Sequence, residues 1–450
     1  MKSYDSYQST PDAVWFSSIP LSWKAQKMRE LFSERRTKVS DSDYPALSVG
    51  KMGIVPQLDT AVKTDNGDNR KLIRKGDFAI NSRSDRKGSG GISEYDGSCS
   101  LIITVLKPHE TINGHFYHYL LRSHYFSEEF YRNGYGIVAD LWTTKWKTMR
   151  NIYLPVPPRE EQDQIVKFLD WKVSDFNRLI AMKKKEIQLF RERREAAINE
   201  AVTQGIRGTK LKPSGMNWLQ AIPENWETIP AKALFSHVSE LRHDGDEMLA
   251  ATQKYGMISQ KQYMELEGRR IVLATDNLDK WLHVEPDEFI ISLRSFQGGL
   301  ELCTITGCVT WHYVVLKPNE KVYVPYYRWL FKSAAYIGAL QRTSDFIRDG
   351  QDLRYSNFVK VRLMDIPYDE QREIAEYLDK TIPMYDAKEE KLLKEVSLLQ
   401  ELKTRLISDV VTGQVDIQNI DVPVFEYVAD ETDDGSNENV DGEEIDDQEE

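Results

Sequence analysis

The sequence predicts an α+β protein built by tandem duplication, with a mixed α/β globular part followed by a long helix in each half. Three observations lead to this fold class: an ordered set of repeated motifs, a stretch without glycine after each globular part, and heptad spacing of apolar residues within that stretch. The two helices are expected to pair as an antiparallel coiled coil. A disordered acidic C-terminal tail is expected after the second helix.

The strongest repeated motif is a Glu-Gln block that begins at Glu161 and again at Glu370, a spacing of 209 residues. Glu, Gln, Ile, an aromatic residue, Leu and Asp recur in both copies, and proline precedes each copy. Further matches keep the same order at offsets from 203 to 211, which is typical of a duplicated domain with loop insertions. The matched segments are Ile19-Pro20 to Trp23 with Ile222-Pro223 to Trp226, Leu31-Phe32-Ser33 with Leu234-Phe235-Ser236, Asp77 to Ser84 with Glu288 to Ser295, and Val105 to Pro108 with Val315 to Pro318.

Each globular part is predicted to mix short strands and helices. Residues 100–106 and 309–316 are apolar and β-branched runs bounded by Gly and Pro turns, which indicates buried strands. Helices are expected around 116–122 and 326–333. Cys303 and Cys308 are interpreted as small core residues of a strand pair.

Apolar residues recur at alternating spacings of three and four through each glycine-free stretch, for roughly four heptads. Such a stripe needs a partner, and it could pack on its own globular part or on the other helix. The seam charges favour the second alternative, because Glu389 could lie opposite Lys183 or Arg194 in an antiparallel pair. Pro383 is expected to break or kink the second helix near its start. The residues predicted to pair the helices are Val173, Phe176, Ile180, Ile187, Phe190, Leu392, Val396, Leu399, Leu406 and Val410.

The net charge of −12 carried by this 450-residue chain arises in its tail. Residues 430–450 hold twelve acidic and no basic side chains, so residues 1–429 carry 59 of each sign. The acidic total alone would argue against a nucleic-acid binder, whereas a neutral body does not. The sequence shows no membrane-length apolar run, no signal peptide and no zinc-type cysteine spacing, which predicts a soluble, cytoplasmic protein.

Motifs for catalysis or cofactor binding are absent from the sequence. It contains no P-loop, HExxH, GxSxG or GxGxxG pattern, so nucleotide and S-adenosylmethionine binding have no support. His109, His115, His118 and His124 have spacings that fit a zinc site poorly, and they are interpreted as surface or groove residues. The chain is therefore expected to bind a partner without catalysing a reaction, and to hold no metal.

The binding chemistry is predicted to lie in polar loops that differ between the halves. Residues 1–158 carry 22 basic and 17 acidic side chains, and seven of the basic ones fall within 18 residues beside the glycine-rich turn at 88–91. This clustering suits contact with DNA phosphates, although a solvated loop is the alternative. Arg, Gln and Asn in the second half suit contacts to base edges. The candidate DNA-binding residues are Arg70, Lys71, Arg74, Lys75, Arg83, Arg86, Lys87, Lys145, Lys147, Arg294, Gln297, Arg342, Arg348, Gln351, Arg354 and Asn357.

With these motifs, residues 10–420 resemble the specificity (S) subunits of type I restriction–modification enzymes. The resemblance rests on the doubled Glu-Gln block, the Ile-Pro-x-x-Trp opening of each half, the turn containing Arg and Gly, and the helix ends at Val202-Thr203 and Val411-Thr412-Gly413. It implies that the Glu-Gln pairs belong to the scaffold and not to a catalytic site; these residues are Glu161, Gln162, Glu370 and Gln371. The acidic tail after Pro423 lies outside the family pattern.

The family implies two target-recognition domains, each reading one half of a bipartite double-stranded DNA target. The helices would set the spacer and dock two methyltransferase (modification) subunits, and restriction/translocase subunits would join the complex. S-adenosylmethionine, ATP and Mg²⁺ would be bound by those partners, with no cofactor bound by this chain. The expected boundaries are 1–158 for the first recognition domain, 159–205 for the central helix, 206–366 for the second recognition domain, 367–415 for the distal helix and 416–450 for the C-terminal extension.

Two other functions remain open at this point. One is a stand-alone nucleic-acid-binding regulator that acts without methyltransferase subunits. The other is a scaffold whose coiled coil binds other proteins.

Overall fold

The computed structural model describes residues 2–57, 67–83, 88–136, 142–268, 277–292, 295–343 and 353–430. The chain forms two compact units, Met1–Lys185 with Leu393–Glu450, and Glu186–Leu392. Each unit contains one globular domain together with parts of both long helices. We call the part before the first long helix the first domain, and the part between the long helices the second domain.

The first domain is built from short antiparallel strands and small helices, and it leads into a helix of 46 residues. A four-stranded sheet has the order β10-β9-β12-β4, and a three-stranded sheet has the order β11-β8-β5. The elements are β1 (Tyr7–Ser9), β2 (Ser18–Pro20), β3 (Lys24–Lys27), α1 (Met28–Leu31), β4 (Phe32–Glu34), β5 (Lys38–Val39), β6 (Leu47–Gly50), β7 (Gly53–Pro56), β8 (Arg70–Ile73), β9 (Phe78–Asn81), β10 (Gly90–Ile92), β11 (Gly97–Cys99), β12 (Ile103–Pro108), α2 (Gly114–Arg122), α3 (His124–Arg132), α4 (Trp146–Met149), β13 (Tyr153–Val156) and α5 (Arg159–Gln204).

The second domain repeats this topology and leads into a helix of 44 residues. Its elements are β14 (Leu211–Pro213), β15 (Ala221–Pro223), β16 (Glu227–Pro230), β17 (Phe235–Val238), β18 (Leu249–Thr252), β19 (Gly256–Ser259), α6 (Gln260–Glu267), β20 (Leu282–Val284), β21 (Phe289–Ile291), α7 (Ser295–Gly298), β22 (Glu301–Leu302), β23 (Gly307–Val309), β24 (Val314–Pro318), α8 (Val324–Lys332), α9 (Ala334–Gln341), α10 (Tyr355–Phe358), β25 (Arg362–Asp365) and α11 (Tyr368–Val411), with 3₁₀ turns at Ala231–Ala233 and Leu278–Lys280.

The strand pairings confirm the duplicated α+β fold. The order β22-β21-β24-β17 matches β10-β9-β12-β4, and the pairs β20-β23, β16-β25 and β14-β15 match β8-β11, β3-β13 and β1-β2. Two details of the sequence-based prediction differ from the structure. Residues 100–102 precede strand β12 instead of belonging to it. Residues 309–316 form the end of one strand and the start of another, because Tyr313 N–H bonds to Thr310 O in an intervening turn.

The Glu-Gln block ties the start of each long helix to its domain. Gln162 donates from Nε2 to Pro157 O at 2.8 Å and accepts from Asn113 N–H at 2.8 Å. Gln371 donates from Nε2 to Ile366 O at 2.9 Å and accepts from Tyr323 N–H at 2.8 Å. Each carboxamide therefore fixes the residues just before the helix and the loop just before α2 or α8. The four residues of the two blocks are buried scaffold residues, as the family resemblance implies: Glu161, Gln162, Glu370 and Gln371.

The end of each long helix packs on the tryptophan of the Ile-Pro-x-x-Trp motif. In the first unit, Trp23 lies beneath Gly413, just past the end of α11. In the second unit, Trp226 lies beneath Gly205, just past the end of α5. Both glycines have positive φ, +73° and +72°, which is the C-terminal conformation that glycine adopts at low cost. Each domain therefore packs on the start of the helix that follows it and on the end of the other helix.

The two long helices run antiparallel in both units. In the first unit, Lys183 Nζ lies 2.9 Å from Glu395, and Lys403 Nζ bonds to Asn177 at 3.1 Å. In the second unit, the pairs are Arg191 with Glu389 and Arg194 with Asp386, each at 2.7 Å. As the residue number rises on one helix, it falls on the other. The prediction that Glu389 lies opposite Lys183 or Arg194 was wrong, because its partner is Arg191.

The predicted seam residues differ in how deeply they are buried. Val173, Ile180, Ile187, Leu392, Val396 and Val410 are buried, while Phe176, Phe190, Leu399 and Leu406 are partly buried. Val410 lies in the hydrophobic core of the first domain, with Leu406 packed against that core. The C-terminal part of this stripe therefore also packs on a domain, which was the alternative that the sequence left open.

Helix α11 continues through Pro383, so the predicted break does not occur, and the alternative of a kink stays a prediction. The neighbouring Leu378 and Ile382 are buried in the core of the second domain. This packing outweighs the loss of one backbone hydrogen bond at the proline. Among the described residues, no helix is long and apolar enough to cross a membrane.

Candidate nucleic-acid interface

A groove of about 640 Å³ crosses the first domain at the end of strand β9. Its walls include three predicted DNA-binding residues, Lys71, Arg83 and Lys145, which are far apart in the sequence. Backbone pairing assembles the groove, because Thr143 pairs with both Arg83 and Tyr135. We call this the first groove. It places two exposed cations, Arg83 and Lys145, along one concave surface.

Lys145 owes its position to the short helix α4. Trp146 and Met149 anchor α4 in the core of the first domain, which leaves Lys145 and Lys147 exposed on its outer side. Lys145 is the N-cap residue in extended conformation, and its carbonyl accepts a hydrogen bond from Thr148 N–H. Its side chain can therefore turn toward a ligand in the groove without disturbing the helix.

Other cations of the predicted cluster are engaged within the first domain. Arg70 is buried and donates from Nε to Ser98 Oγ at 2.9 Å, so its guanidinium is not available on the surface and its prediction as a DNA contact is corrected. Lys71 lines the first groove, and its Nζ donates a hydrogen bond to Ile103 O at 2.6 Å. A sequence cannot separate these cases, because burial depends on residues about thirty positions away.

Arg74 and Lys75 form surface ion pairs on the turn that follows β8. Arg74 bonds to Asp96 at 2.7 Å, and Lys75 Nζ lies 3.0 Å from Glu94. The backbone N–H of Lys75 and the guanidinium of Arg74 lower the pKa of Asp96. These two cations remain exposed, but DNA would have to compete with the carboxylates for them.

Five predicted contacts lie outside the described residues. They are Arg86, Lys87, Arg294, Arg348 and Gln351.

The second domain presents its candidates around α10, at the position that α4 holds in the first. Arg354 is the exposed N-cap residue of α10, so Lys145 and Arg354 occupy equivalent places 209 residues apart. Arg342 is exposed and lines a cavity of about 300 Å³ together with Trp218 and Lys360. Gln297 lies exposed on α7.

Asn357 has a structural role in this conformation. Its Nδ2 donates to Thr343 O at 2.9 Å, and its Oδ1 accepts from Arg354 N–H at 3.3 Å. Both ends of the amide are therefore used within the domain. A base contact by Asn357 would require these bonds to be exchanged.

The structure adds apolar groove residues that the charge-based reasoning missed. Tyr135, Leu101 and Ile102 line the first groove and are all exposed. Exposed aromatic and aliphatic side chains next to cations suit contact with bases or with thymine methyl groups. In the sequence, the one indication of this apolar surface was the presence of Tyr135 in a loop that differs between the two halves.

The four histidines of the first domain do not gather into one site. His109, His115 and His124 are exposed, in line with the prediction. His118 accepts a hydrogen bond from Ile92 N–H at 3.2 Å. Burial and the neighbouring Arg122 lower the pKa of His118 to about 3, so its ring stays neutral.

The last described residues, up to Asp430, lie beside a cavity of about 350 Å³ in the first unit. Lys51, Gly88 and Arg122 line this cavity. Val428 is fixed to α5 by bonds to Asn177 and Ser174, at 2.8 and 3.1 Å. The carboxylate of Asp430 pairs with Lys403. The acidic tail predicted from the sequence lies beyond this point, at 431–450, outside the described residues.

Comparison with known proteins shows which proteins this chain is similar to. Residues 20–189 match the family model of the type I restriction modification DNA specificity domain. The putative type I restriction enzyme MjaX specificity subunit of Methanocaldococcus jannaschii is 18% identical over 440 residues, covering 89% of this chain and 95% of the relative. The MjaVIII specificity subunit of the same organism is 34% identical over 86 residues, 19% of each chain.

A solved structure supports the fold over almost the whole chain. It comes from work on complex assembly and conformational transition of the type I R-M system and matches with a TM-score of 0.64 at 14% identity. The match covers 88% of this chain and 99% of the other. Residues 20–189 thus match a type I restriction modification DNA specificity domain, and the chain is similar along nearly its full length to a putative type I restriction enzyme specificity subunit.

Proposed function

We propose that this chain is the DNA-recognition subunit of a type I restriction–modification complex and that each domain reads one half of a bipartite double-stranded target. The observation that carries the proposal is the equivalence of Lys145 and Arg354. Both are exposed N-cap cations on a short helix that is anchored by buried side chains, while the residues around them differ. Two copies of one scaffold with different polar surfaces are what two different half-sites require.

The antiparallel helices are the proposed spacer and docking element. In this proposal they set the spacer between the two half-sites and offer a surface for two methyltransferase subunits, with restriction/translocase subunits joining the complex. Under this proposal, S-adenosylmethionine, ATP and Mg²⁺ act in those partners, and this chain performs no catalytic step. The domain boundaries at residues 158, 205, 366 and 415 are part of the same proposal.

The proposal is tested by methylation mapping. The full chain is combined with its cognate methyltransferase subunits, and methylated adenines are located across a genome. We expect one bipartite sequence to be methylated only when this chain is present. Methylation at unrelated sites, or without this chain, would overturn the proposal.

A domain exchange separates the two readers. Replacing residues 10–158 with the recognition domain of another specificity subunit should change one half-site and leave the spacer and the other half-site unchanged. A change in both half-sites would contradict modular reading. Sequence-specific DNA binding by the isolated chain, with no methylation in the reconstituted complex, would instead favour the stand-alone regulator.

A further inference from the structure

Two histidines and an aspartate meet beside strand β20 of the second domain. His283 lies in the middle of strand β20, and backbone bonds hold residues 240–242 beside this strand. These bonds run from His283 N–H to Glu240 O and from Arg242 N–H to Trp281 O, both at 2.8 Å. The turn that follows places His243 and Asp246 over the strand.

Asp246 fixes this arrangement with a single carboxylate oxygen. Its Oδ2 accepts from His243 N–H at 2.7 Å and contacts His283 Nδ1 at 2.9 Å. The side chains of Asp246 and His283 are each only 7% exposed. Because Oδ2 and Nδ1 are only 2.9 Å apart, both atoms can bind one metal ion once the proton on Nδ1 has been displaced.

The second imidazole lies directly over the first. The ring centroids of His243 and His283 are 3.9 Å apart, and His243 is half exposed. Ligand atoms of His243, Asp246 and His283 all lie within 4.8 Å of one another. Two further carboxylates are close, with Glu240 3.0 Å from His243 Nε2 and Glu285 3.7 Å from His283 Nε2.

The charges at this cluster favour a bound cation. Three carboxylates surround two imidazoles, and two protonated rings at this stacking distance would repel each other. One divalent ion can balance the carboxylates while both rings remain neutral ligands. Imidazole nitrogen with carboxylate oxygen is a donor set that zinc prefers, whereas Mg²⁺ and Ca²⁺ prefer oxygen alone.

The first domain provides an internal comparison. Strand β8 holds Leu72 at the position of His283, since Leu72 N–H bonds to Thr37 O as His283 N–H bonds to Glu240 O. Tyr44 is the equivalent of Asp246, because the residue that follows each of them accepts a backbone hydrogen bond from the paired strand. In the first domain Ser98 N–H donates to Pro45 O, and in the second Cys308 N–H donates to Glu247 O. The repeated scaffold therefore does not need a histidine at the first position or a carboxylate at the second.

We propose that His243, Asp246 and His283 bind one divalent transition-metal ion with the chemistry of Zn²⁺, fastening the 240–247 turn to strand β20. The ion has a structural role in the second domain. This site goes beyond the proposed function and does not depend on it. No metal was expected from the sequence, because the cysteines and the four histidines of the first domain fit a zinc site poorly; His243 and His283 are 40 positions apart.

The test uses the full chain after removal of metals by a chelator. Zinc binding is measured by calorimetry, and Co²⁺ is used as a spectroscopic probe whose visible absorption reports nitrogen ligands. We expect one equivalent of Zn²⁺ per chain, a Co²⁺ spectrum of a low-coordinate site, and a higher melting temperature with zinc than with Mg²⁺.

His283→Leu is the matched variant, because the equivalent strand already carries leucine at this position. It should fold and bind zinc at least about 10–100-fold more weakly. His243→Ala removes an exposed ligand and should weaken binding similarly, while His312→Ala, an exposed histidine elsewhere, should leave binding unchanged. The absence of saturable zinc binding, or equal zinc affinity in the H283L variant and the original chain, would overturn the proposal and leave a hydrogen-bonded His–Asp pair.

Discussion

Gln162 and Gln371 make the same two hydrogen bonds from positions 209 residues apart. Each donates to a carbonyl five residues earlier and accepts from the backbone N–H of the loop before a short helix. Both side chains are buried. The repeated motif is therefore explained by its structural role, because in each half it connects the start of the long helix to the preceding domain.

Replacing either glutamine should destabilise the protein. Gln162→Leu or Gln371→Leu leaves a buried N–H and a buried carbonyl without partners, and we expect a loss of about 1–3 kcal/mol in the free energy of unfolding. Urea denaturation measures it. Gln188→Leu, in an exposed position on α5, is the control and should change stability by less than about 0.5 kcal/mol. Equal effects at all three positions would contradict the role of the motif.

Gly413→Ala should disturb the packing of α11 on the first domain. An added Cβ would lie 2.5 Å from Pro20 Cδ and 3.2 Å from Trp23, at a φ of +73°. The left-handed backbone costs about 1–2 kcal/mol and the overpacking about 1–3 kcal/mol more. Gly208→Ala is a matched control, because its φ is +65° but no atom lies within 4 Å of the added Cβ. Similar melting temperatures for the two variants would show that the close approach to Trp23 does not matter.

Lys145→Ala and Arg354→Ala should each weaken DNA binding without unfolding the protein. If each cation meets one phosphate, its loss lowers the magnitude of the slope of log K against log salt by about 0.9. If Arg354 instead contacts a base, specificity at one position should relax at a cost of about 1–3 kcal/mol. Lys210→Ala, an exposed lysine that is paired with Glu224 and is not among the candidate contacts, is the control. An unchanged salt slope and unchanged specificity in both variants would exclude α4 and α10 from the interface.

Lengthening both helices should change the spacer of the target. One heptad inserted after Ile187 in α5 and one after Leu392 in α11 adds about 10 Å to the pair. At 3.4 Å per base pair, the preferred spacer should grow by roughly three base pairs. Methylation mapping detects this change. A variant that still methylates the original spacer would show that the helices do not set it.

Removal of residues 431–450 should increase non-specific DNA affinity. The chain reaches Asp430 beside Lys51 and Arg122 of the first domain, and the removed residues carry a high density of negative charge. Binding to a random duplex is measured at several salt concentrations. A tail of the same length with Asn and Gln in place of its acidic residues separates charge from bulk. Unchanged affinity in both variants would mean that the tail does not compete with DNA.

The duplication and the helix pair could be predicted because they depend on local patterns. The Glu-Gln block and the heptads repeat within one stretch of chain, and burial follows the same periodicity in the structure. The fate of individual cations could not be predicted. Arg70 is buried and its guanidinium donates a hydrogen bond to Ser98. Lys145 is exposed, and the adjacent Trp146 is the residue that packs in the core.

The same limit applies to proline and to the metal ligands. Pro383 is tolerated inside α11 because Leu378 and Ile382, just before it, are buried in the core of the second domain. His243 and His283 meet only when the 240–247 turn pairs with strand β20. Both outcomes are decided by tertiary packing, which a single sequence does not display.

The backbone pairing of Lys2 with Asp416 makes the connectivity of the chain effectively cyclic. In the second domain, a continuous segment connects Gly205 at the end of α5 to strand β14. In the first domain, the equivalent segment is made of two pieces, the residues after Gly413 and the residues that lead to β1. A gene rearranged to join residue 416 to residue 2, and to open the chain near Gly208, would keep the contacts between the long helices and the domains but would lose those of residues 417–430, which include buried Ile417 and the bonds from Val428 to α5. Such a circular permutant should therefore fold with a lower melting temperature than the original chain.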